Sequence, residues 1–180
     1  MIELVNVKKG FGAKVVVNGV SAVMKSSTTN LIIGSSGSGK TVLLKCMIGL
    51  FKPDEGQVLY EGIDLYGMNE GQLKEVRKQI GMLFQGSALF DSKTVKENVQ
   101  FPLDMFTNFT TLEKEKRVDE VLERVRIEGA HLKSPSEISG GMKKRVALAR
   151  AIVLNPKYLF CDEPNSCLLY TSPSPRDAHE

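Results

Sequence analysis

Eight residues constrain this chain more than any others: Gly34-Ser35-Ser36-Gly37-Ser38-Gly39-Lys40-Thr41, which fit the spacing G-x-x-x-x-G-K-[ST] in full. Glycines at these positions let backbone N–H groups turn inward around an anion. A helix that starts at the loop points the positive end of its dipole at the same place. Lys40 would then reach the β- and γ-phosphates of a nucleotide, and the Thr41 hydroxyl would bind Mg²⁺. Such a loop needs a strand before it and a helix after it. Residues 30–34 form a short apolar run ending at a glycine, which predicts a strand buried on both faces. Val42, Leu43, Leu44, Met47 and Ile48 predict the inward face of the following helix, which should stop near Gly49.

The rest of the chain divides by periodicity. Residues 2–7 and 13–24 are rich in β-branched side chains and predict the strands of an opening sheet. Two further strand patterns cover 56–62 and 80–85. From about Ser87 to Arg150 the character is helical. Thr94 and Glu97 have capping-box spacing, as do Thr110 and Glu113. Val118, Val121, Leu122 and Val125 then recur at helical spacing, and a third helix beginning near Gly140 carries Met142, Val146, Ala149 and Val153 on one face. Residues 157–164 read as another buried strand, ending in acids. Strands, a helical insert and a closing strand imply an α/β core with a helical subdomain.

The 180 residues suffice for one domain with a real core. A net charge of +3 is too small to argue for a nucleic-acid partner without a basic stripe. No apolar run approaches the length of a membrane span, and the N-terminus carries charges where a signal peptide needs an apolar stretch. Cys46, Cys161 and Cys167 lack metal-ligand spacing.

Other stretches complete a candidate site. A buried strand ending in Asp162 and Glu163 puts two carboxylates at its C-terminal edge, where ligands of open α/β sheets bind. Asp162 would hold Mg²⁺, and Glu163 would accept a proton from an attacking water. Gln85 closes its own strand and is placed to touch the metal or the water. Ser139-Gly140-Gly141 opens a second helix and makes another anion site by the same physics as the first. One chain has no obvious way to aim that site at its own phosphate loop. Two chains packed head to tail can each close the site of the other.

The order of these motifs resembles the nucleotide-binding subunit of an ABC transporter, over roughly residues 2–166. The stretches MLFQGSALF and PSEISGGM resemble one branch in particular, the bacterial Mla/Mce-type lipid-trafficking ATPases, in which Met142 replaces the more usual glutamine. The implied fold class is α/β, a P-loop NTPase core with an N-terminal antiparallel β region and a helical subdomain at about 87–150, incomplete at the C-terminus. The resemblance implies ATP and Mg²⁺ as cofactors. It implies that Phe11 stacks on adenine, that residues 34–41 hold the phosphates, and that Thr41, Gln85 and Asp162 serve the metal. Catalysis would fall to Glu163, Gln85 and Lys40, while Ser139, Gly140, Gly141 and Met142 would grip the nucleotide of the partner subunit. It further implies a homodimer docked through residues 86–101 on an integral-membrane permease, at the cytoplasmic face of a bacterial inner membrane. Leu89, Phe90, Val95 and Val99 in that stretch divide between docking and ordinary core. Lipid would be the cargo, with no nucleic acid involved. An alternative is a soluble ATPase of the same family working on nucleic acid or ribosomes.

The family pattern breaks after Ser166. The family continues with Gly-Leu-Asp, a further strand and a switch histidine, whereas this chain reads Cys167-Leu168-Leu169-Tyr170 and then a proline-bearing tail to Glu180. Residues 167–180 are expected to be foreign to the parent protein, and the chain as written to bind nucleotide with little or no turnover. In the parent, Glu163→Gln is expected to cut hydrolysis by about 10²–10⁴-fold, the usual worth of a general base, while leaving ATP binding intact. A turnover assay run beside a binding titration checks this, and an unchanged rate refutes the role.

Overall fold

The computed structural model describes residues 1–162 in two compact units that divide at Arg77 and Lys78. The expectations for Glu163 and for residues 167–180 lie outside the described residues.

The first unit is built on an antiparallel sheet. β1 (Ile2–Phe11), β2 (Lys14–Met24), β3 (Glu55–Tyr60) and β4 (Ile63–Asp64) pair in the order β2-β1-β3-β4. A tight turn joins β1 to β2, and Phe11 pairs with Lys14 at its tip. Ile2, Leu4, Val7, Val17, Val58 and Tyr60 are buried; Ile2 with Leu4 and Val58 with Tyr60 follow the strand alternation, and a register shift between Leu4 and Val7 brings Val7 inward. The helix after the glycine loop, α1 (Lys40–Met47), buries Leu43, Leu44, Cys46 and Met47. Ile48 caps it, and Gly49 follows at φ 79, so the helix stops where expected. Two tyrosines pin this end: the Tyr60 hydroxyl donates to Met47 O at 2.8 Å and the Tyr66 hydroxyl to Cys46 O at 2.7 Å.

Two features of this unit depart from expectation. Residues 30–34 are not a strand, and Leu31 and Ile33 are 66% and 84% exposed. A run buried on both faces needs strands on either side to take up its N–H and C=O groups. Among the described residues no ladder includes it, and the four-stranded sheet ends at β2 and β4. The second feature is an unforeseen helix, α2 (Glu70–Lys78). Its signal was present in the sequence. Asn69 and Gln72 cap each other, Asn69 N–H donating to the Gln72 side chain at 3.0 Å and Gln72 N–H to the Asn69 side chain at 2.9 Å.

The second unit pairs β5 (Ile80–Leu83) with β6 (Tyr158–Cys161) in parallel, Leu83 standing opposite Cys161. Between them run α3 (Val95–Phe106), α4 (Thr111–Arg124) and α5 (Gly140–Ile152). Their apolar faces meet in one core of Val95, Val99, Leu103, Val118, Val121, Leu122, Val125, Val146 and Ala149, into which Leu83 also packs. α5 lies so close to β5 that a Cβ at Gly81 would run into the carbonyl oxygen of Ala151. Asn98, fully buried, is satisfied by closing the loop before α3. It accepts from Phe90 N–H at 2.8 Å and donates to the carbonyls of Phe90, Lys93 and Thr94. Arg117 caps the end of α5 by donating from Nε to Val153 O at 2.8 Å.

Both expected capping boxes are formed. Thr94 and Glu97 close the start of α3, and Thr110 and Glu113 the start of α4. A third, Ser134 with Glu137, closes a short 3-10 turn over Pro135–Glu137. The Thr110 backbone N–H, then its hydroxyl, hold the Glu113 carboxyl below the ordinary glutamate range. Because the folded value is the lower one, this stabilisation is complete above an unfolded pKa of about 4.3 and is lost as pH falls through the folded value. Thr110→Ala is expected to cost about 1 kcal/mol of stability at neutral pH and to shrink the acid-induced loss, as read by denaturant unfolding at neutral and acid pH.

Candidate functional site

The phosphate loop is a curl held from inside. Ser38 N–H donates back to Ser35 O at 3.2 Å, and the Lys40 ammonium donates to both Gly34 O and Ser35 O at 2.7 Å. An ammonium has three N–H donors, so one remains for an incoming oxygen anion. Residues Ser35, Ser36, Gly37 and Ser38 are exposed, and Thr41 follows Lys40 in the first turn of α1. Those first-turn N–H groups lack intrahelical acceptors by construction, which suits them to phosphate oxygens. Gly39 makes the transition possible. It caps α1 in the left-handed region at φ 93, ψ 5, and a Cβ there would sit 2.7 Å from Val16 O of β2. The loop therefore ends against the strand whose partner carries Phe11 at the turn. Phe11 is 48% exposed, and its ring packs edge-to-face on Phe51 with centroids 5.4 Å apart. Phosphate loop and aromatic ring, expected to share one ligand, are both in the first unit.

The second unit holds the other candidates. Gln85 lies in the exposed turn just past β5, and Asp162 one residue past β6. The parallel register brings them to the same edge, and Asp162 N–H donates to Leu83 O at 3.0 Å. This is the C-terminal edge at which open α/β sheets bind ligands. The Gln85 amide oxygen and the Asp162 carboxylate on that edge are hard oxygen donors of the kind Mg²⁺ takes.

Ser139 caps α5, its hydroxyl accepting from Met142 N–H at 3.2 Å. Ser139, Gly140 and Gly141 are exposed, while Ile138 just before them is buried and anchors the segment. A Cβ at Gly140 or Gly141 would meet nothing within 4 Å, and neither residue has a positive φ. Among the described residues, nothing requires glycine at these two positions.

Of the four apolar residues in the stretch expected to divide between docking and core, Val95 and Val99 are fully buried and Leu89 packs against the core. Phe90 is 39% exposed, meets Phe101 edge-to-face with centroids 4.9 Å apart, and lies 5.5 Å beneath the Arg150 guanidinium. Burial holds Arg150 below its ordinary pKa, and its guanidinium also donates to Ser87 O at 3.1 Å. The Lys143-Lys144-Arg145 run gives an ordinary helix face, on which Arg145 donates to Arg126 O. Phe51, which packs on Phe11, belongs to no motif, and an aromatic beside the end of α1 carries no local signal. Among the described residues, no helix is long and apolar enough to cross a membrane.

Residues 17–166 match the family model described as ABC transporter. The methionine import ATP-binding protein MetN 1 of Oceanobacillus iheyensis is 45% identical over 93% of this chain and 51% of its own length. The "Probable ribonucleotide transport ATP-binding protein mkl" of Mycobacterium leprae is 40% identical over 93% of this chain and 48% of its own. The chain thus spans about half the length of the curated relatives it matches. Among solved structures, a dimeric ATP-binding cassette in a post-hydrolysis state with ADP and Pi superposes at TM-score 0.82, 32% identical over 91% of this chain and 74% of that one. A dimeric bacterial ABC transporter cassette superposes at 0.83, 30% identical over 94% and 79%.

The two sets of glycines are expected to respond oppositely to alanine. Gly39→Ala forces a side chain into the left-handed region and against Val16 O, and is expected to cost roughly 1–3 kcal/mol. Gly140→Ala, with open space around it, is expected to be neutral or to stabilise by up to about 1 kcal/mol through helix propensity. Denaturant unfolding of the two variants checks both signs.

Proposed function

The chain belongs to the ABC transporter family, and on that premise we propose that it is the ATP-binding and ATP-hydrolysing part of a transporter subunit that works as a dimer against a membrane permease. The observation that carries this reading is the preformed phosphate loop, with Lys40 curled on two carbonyls and α1 starting behind it. Residues 34–41 take the polyphosphate through main-chain N–H groups and the Lys40 ammonium, and Phe11 takes the adenine face. Thr41, Gln85 and Asp162 supply oxygen ligands for Mg²⁺, which neutralises charge on the phosphates when bound. Gln85 and Glu163 would orient a water, and Glu163 would take its proton as the water oxygen bonds to the γ-phosphorus, the bond to the bridging oxygen breaks and ADP leaves. Ser139, Gly140, Gly141 and Met142 serve the nucleotide of a second copy, which accounts for glycines that their own chain does not need. The dimeric cassettes among the structural neighbours support this arrangement.

The permease is proposed to dock on residues 86–101, where Phe90 and Phe101 present aromatic surface flanked by Arg150 and Lys93. A subunit so docked works at the cytoplasmic face of the membrane. Cargo is chosen by that membrane partner. The relatives named above carry methionine import and ribonucleotide transport in their names, and those names lend no support to lipid. A lipid cargo rests on the motif resemblance around Gln85 and Met142 alone.

Titration with a fluorescent adenylate tests the core of the reading. Magnesium-dependent binding is expected, weakened by at least about tenfold in Lys40→Ala, since a hydrogen bond to a charged group is worth about 1.5–3 kcal/mol. No magnesium-dependent binding by the unaltered protein refutes it.

A further inference from the structure

Phe51 lies outside every motif, yet the first unit holds it from several directions. Its backbone N–H donates to Lys45 O of α1 at 3.1 Å. Its carbonyl accepts from the Tyr66 hydroxyl at 2.5 Å, and that same hydroxyl is bonded to Cys46 O. Burial raises the Tyr66 phenol above its ordinary pKa, so the hydroxyl keeps its proton. The Phe51 ring lies 5.3 Å from the Lys45 ammonium on one side and meets Phe11 edge-to-face, at 71° between planes, on another. Three residues on, Asp54 clamps the strand that carries Phe11. Its carboxylate accepts from Lys9 Nζ and from Gly10 N–H, each at 2.7 Å, while Asp54 N–H donates to Lys8 O at 2.8 Å. Phe11 is thus tied to α1, which starts at the phosphate loop and ends under Phe51.

We infer that Phe51 is a positioning residue for the nucleotide base: anchored on α1 and Tyr66, it fixes the plane of the Phe11 ring and so sets the stacking face for a purine. The inference rests on the reading of Phe11 as the adenine platform. An aromatic pair of this kind orients rings through the quadrupole of each face and edge. A platform at the tip of a two-strand turn, about half exposed, otherwise rotates about its own side-chain torsions and loses part of its stacking energy to ordering. Phe51 does not touch the base in this arrangement. Its effect reaches the ligand only through Phe11.

The test compares MgATP with magnesium tripolyphosphate, which shares the phosphate loop but has no base. Phe51→Leu keeps apolar bulk and removes the ring. It is expected to weaken MgATP about threefold to tenfold, a fraction of what a base–aromatic stack is worth, and to leave tripolyphosphate unchanged. Phe51→Tyr retains the ring and is expected to retain the affinity. Tyr66→Phe removes only the hydroxyl that pins Phe51, and is expected to shift MgATP in the same direction by less. It carries the test if Phe51→Leu does not fold. Equal weakening of both ligands marks a merely structural role and overturns the inference, as does unchanged MgATP affinity in both variants. Phe11→Ala separates the premise from the inference. If it leaves MgATP binding intact, the base platform itself is wrong; if it alone weakens MgATP, only the role of Phe51 is wrong.

Discussion

The nucleotide half of this protein hangs on a single close approach, the backbone of Gly39 against the carbonyl of Val16. A left-handed residue must end the loop so that α1 can begin at once, and only a residue without a Cβ fits both the dihedral angles and the gap. With that turn made, Lys40 falls on the first turn of the helix and can fold back over the carbonyls of Gly34 and Ser35. The same contact holds the loop beside the β1–β2 turn, and so beside Phe11.

Elsewhere glycine has another purpose. Gly81 is demanded from within, because α5 crosses β5 too closely for any side chain. Gly140 and Gly141 are demanded by nothing among the described residues, since both face open space there without a positive φ. Internal packing thus explains the first and not the other two, which stand beside the exposed Ser139 cap. The anchoring sits next door, where buried Ile138 and the core behind Val146 and Ala149 hold α5 in place.

Local chemistry was legible where the pattern and its physical cause lie within a few residues. The boxes at Thr94 and Thr110, the apolar stripe of α4 and the stop at Gly49 are all of this kind, because caps and helical stripes are short-range. The reciprocal cap of Asn69 and Gln72 is equally local, with its two residues three positions apart. Residues 30–34 failed for the opposite reason. Leu31, Ile32 and Ile33 carry the composition of a buried strand, yet a strand is completed by neighbours distant in sequence, and no described ladder takes this run in. The division of residues 89–99 into core and exposed surface also depended on partners, since Phe90 and Val95 are equally apolar and differ only in what packs over them.

The sequence by itself determined the candidate groups: the glycine-rich loop with Lys40 and Thr41, the Gln85 and Asp162 strand ends, and the Ser139 helix start. Residue type and spacing suffice there, because each motif works through its own backbone and nearest side chains. Only the tertiary structure decided what surrounds those groups. It set Gln85 and Asp162 on one sheet edge, put Phe51 against Phe11, bound Gly39 to Val16 and left Gly140 and Gly141 in the open. These are contacts between segments far apart along the chain, and the register and packing that create them are properties of the whole fold rather than of any stretch within it.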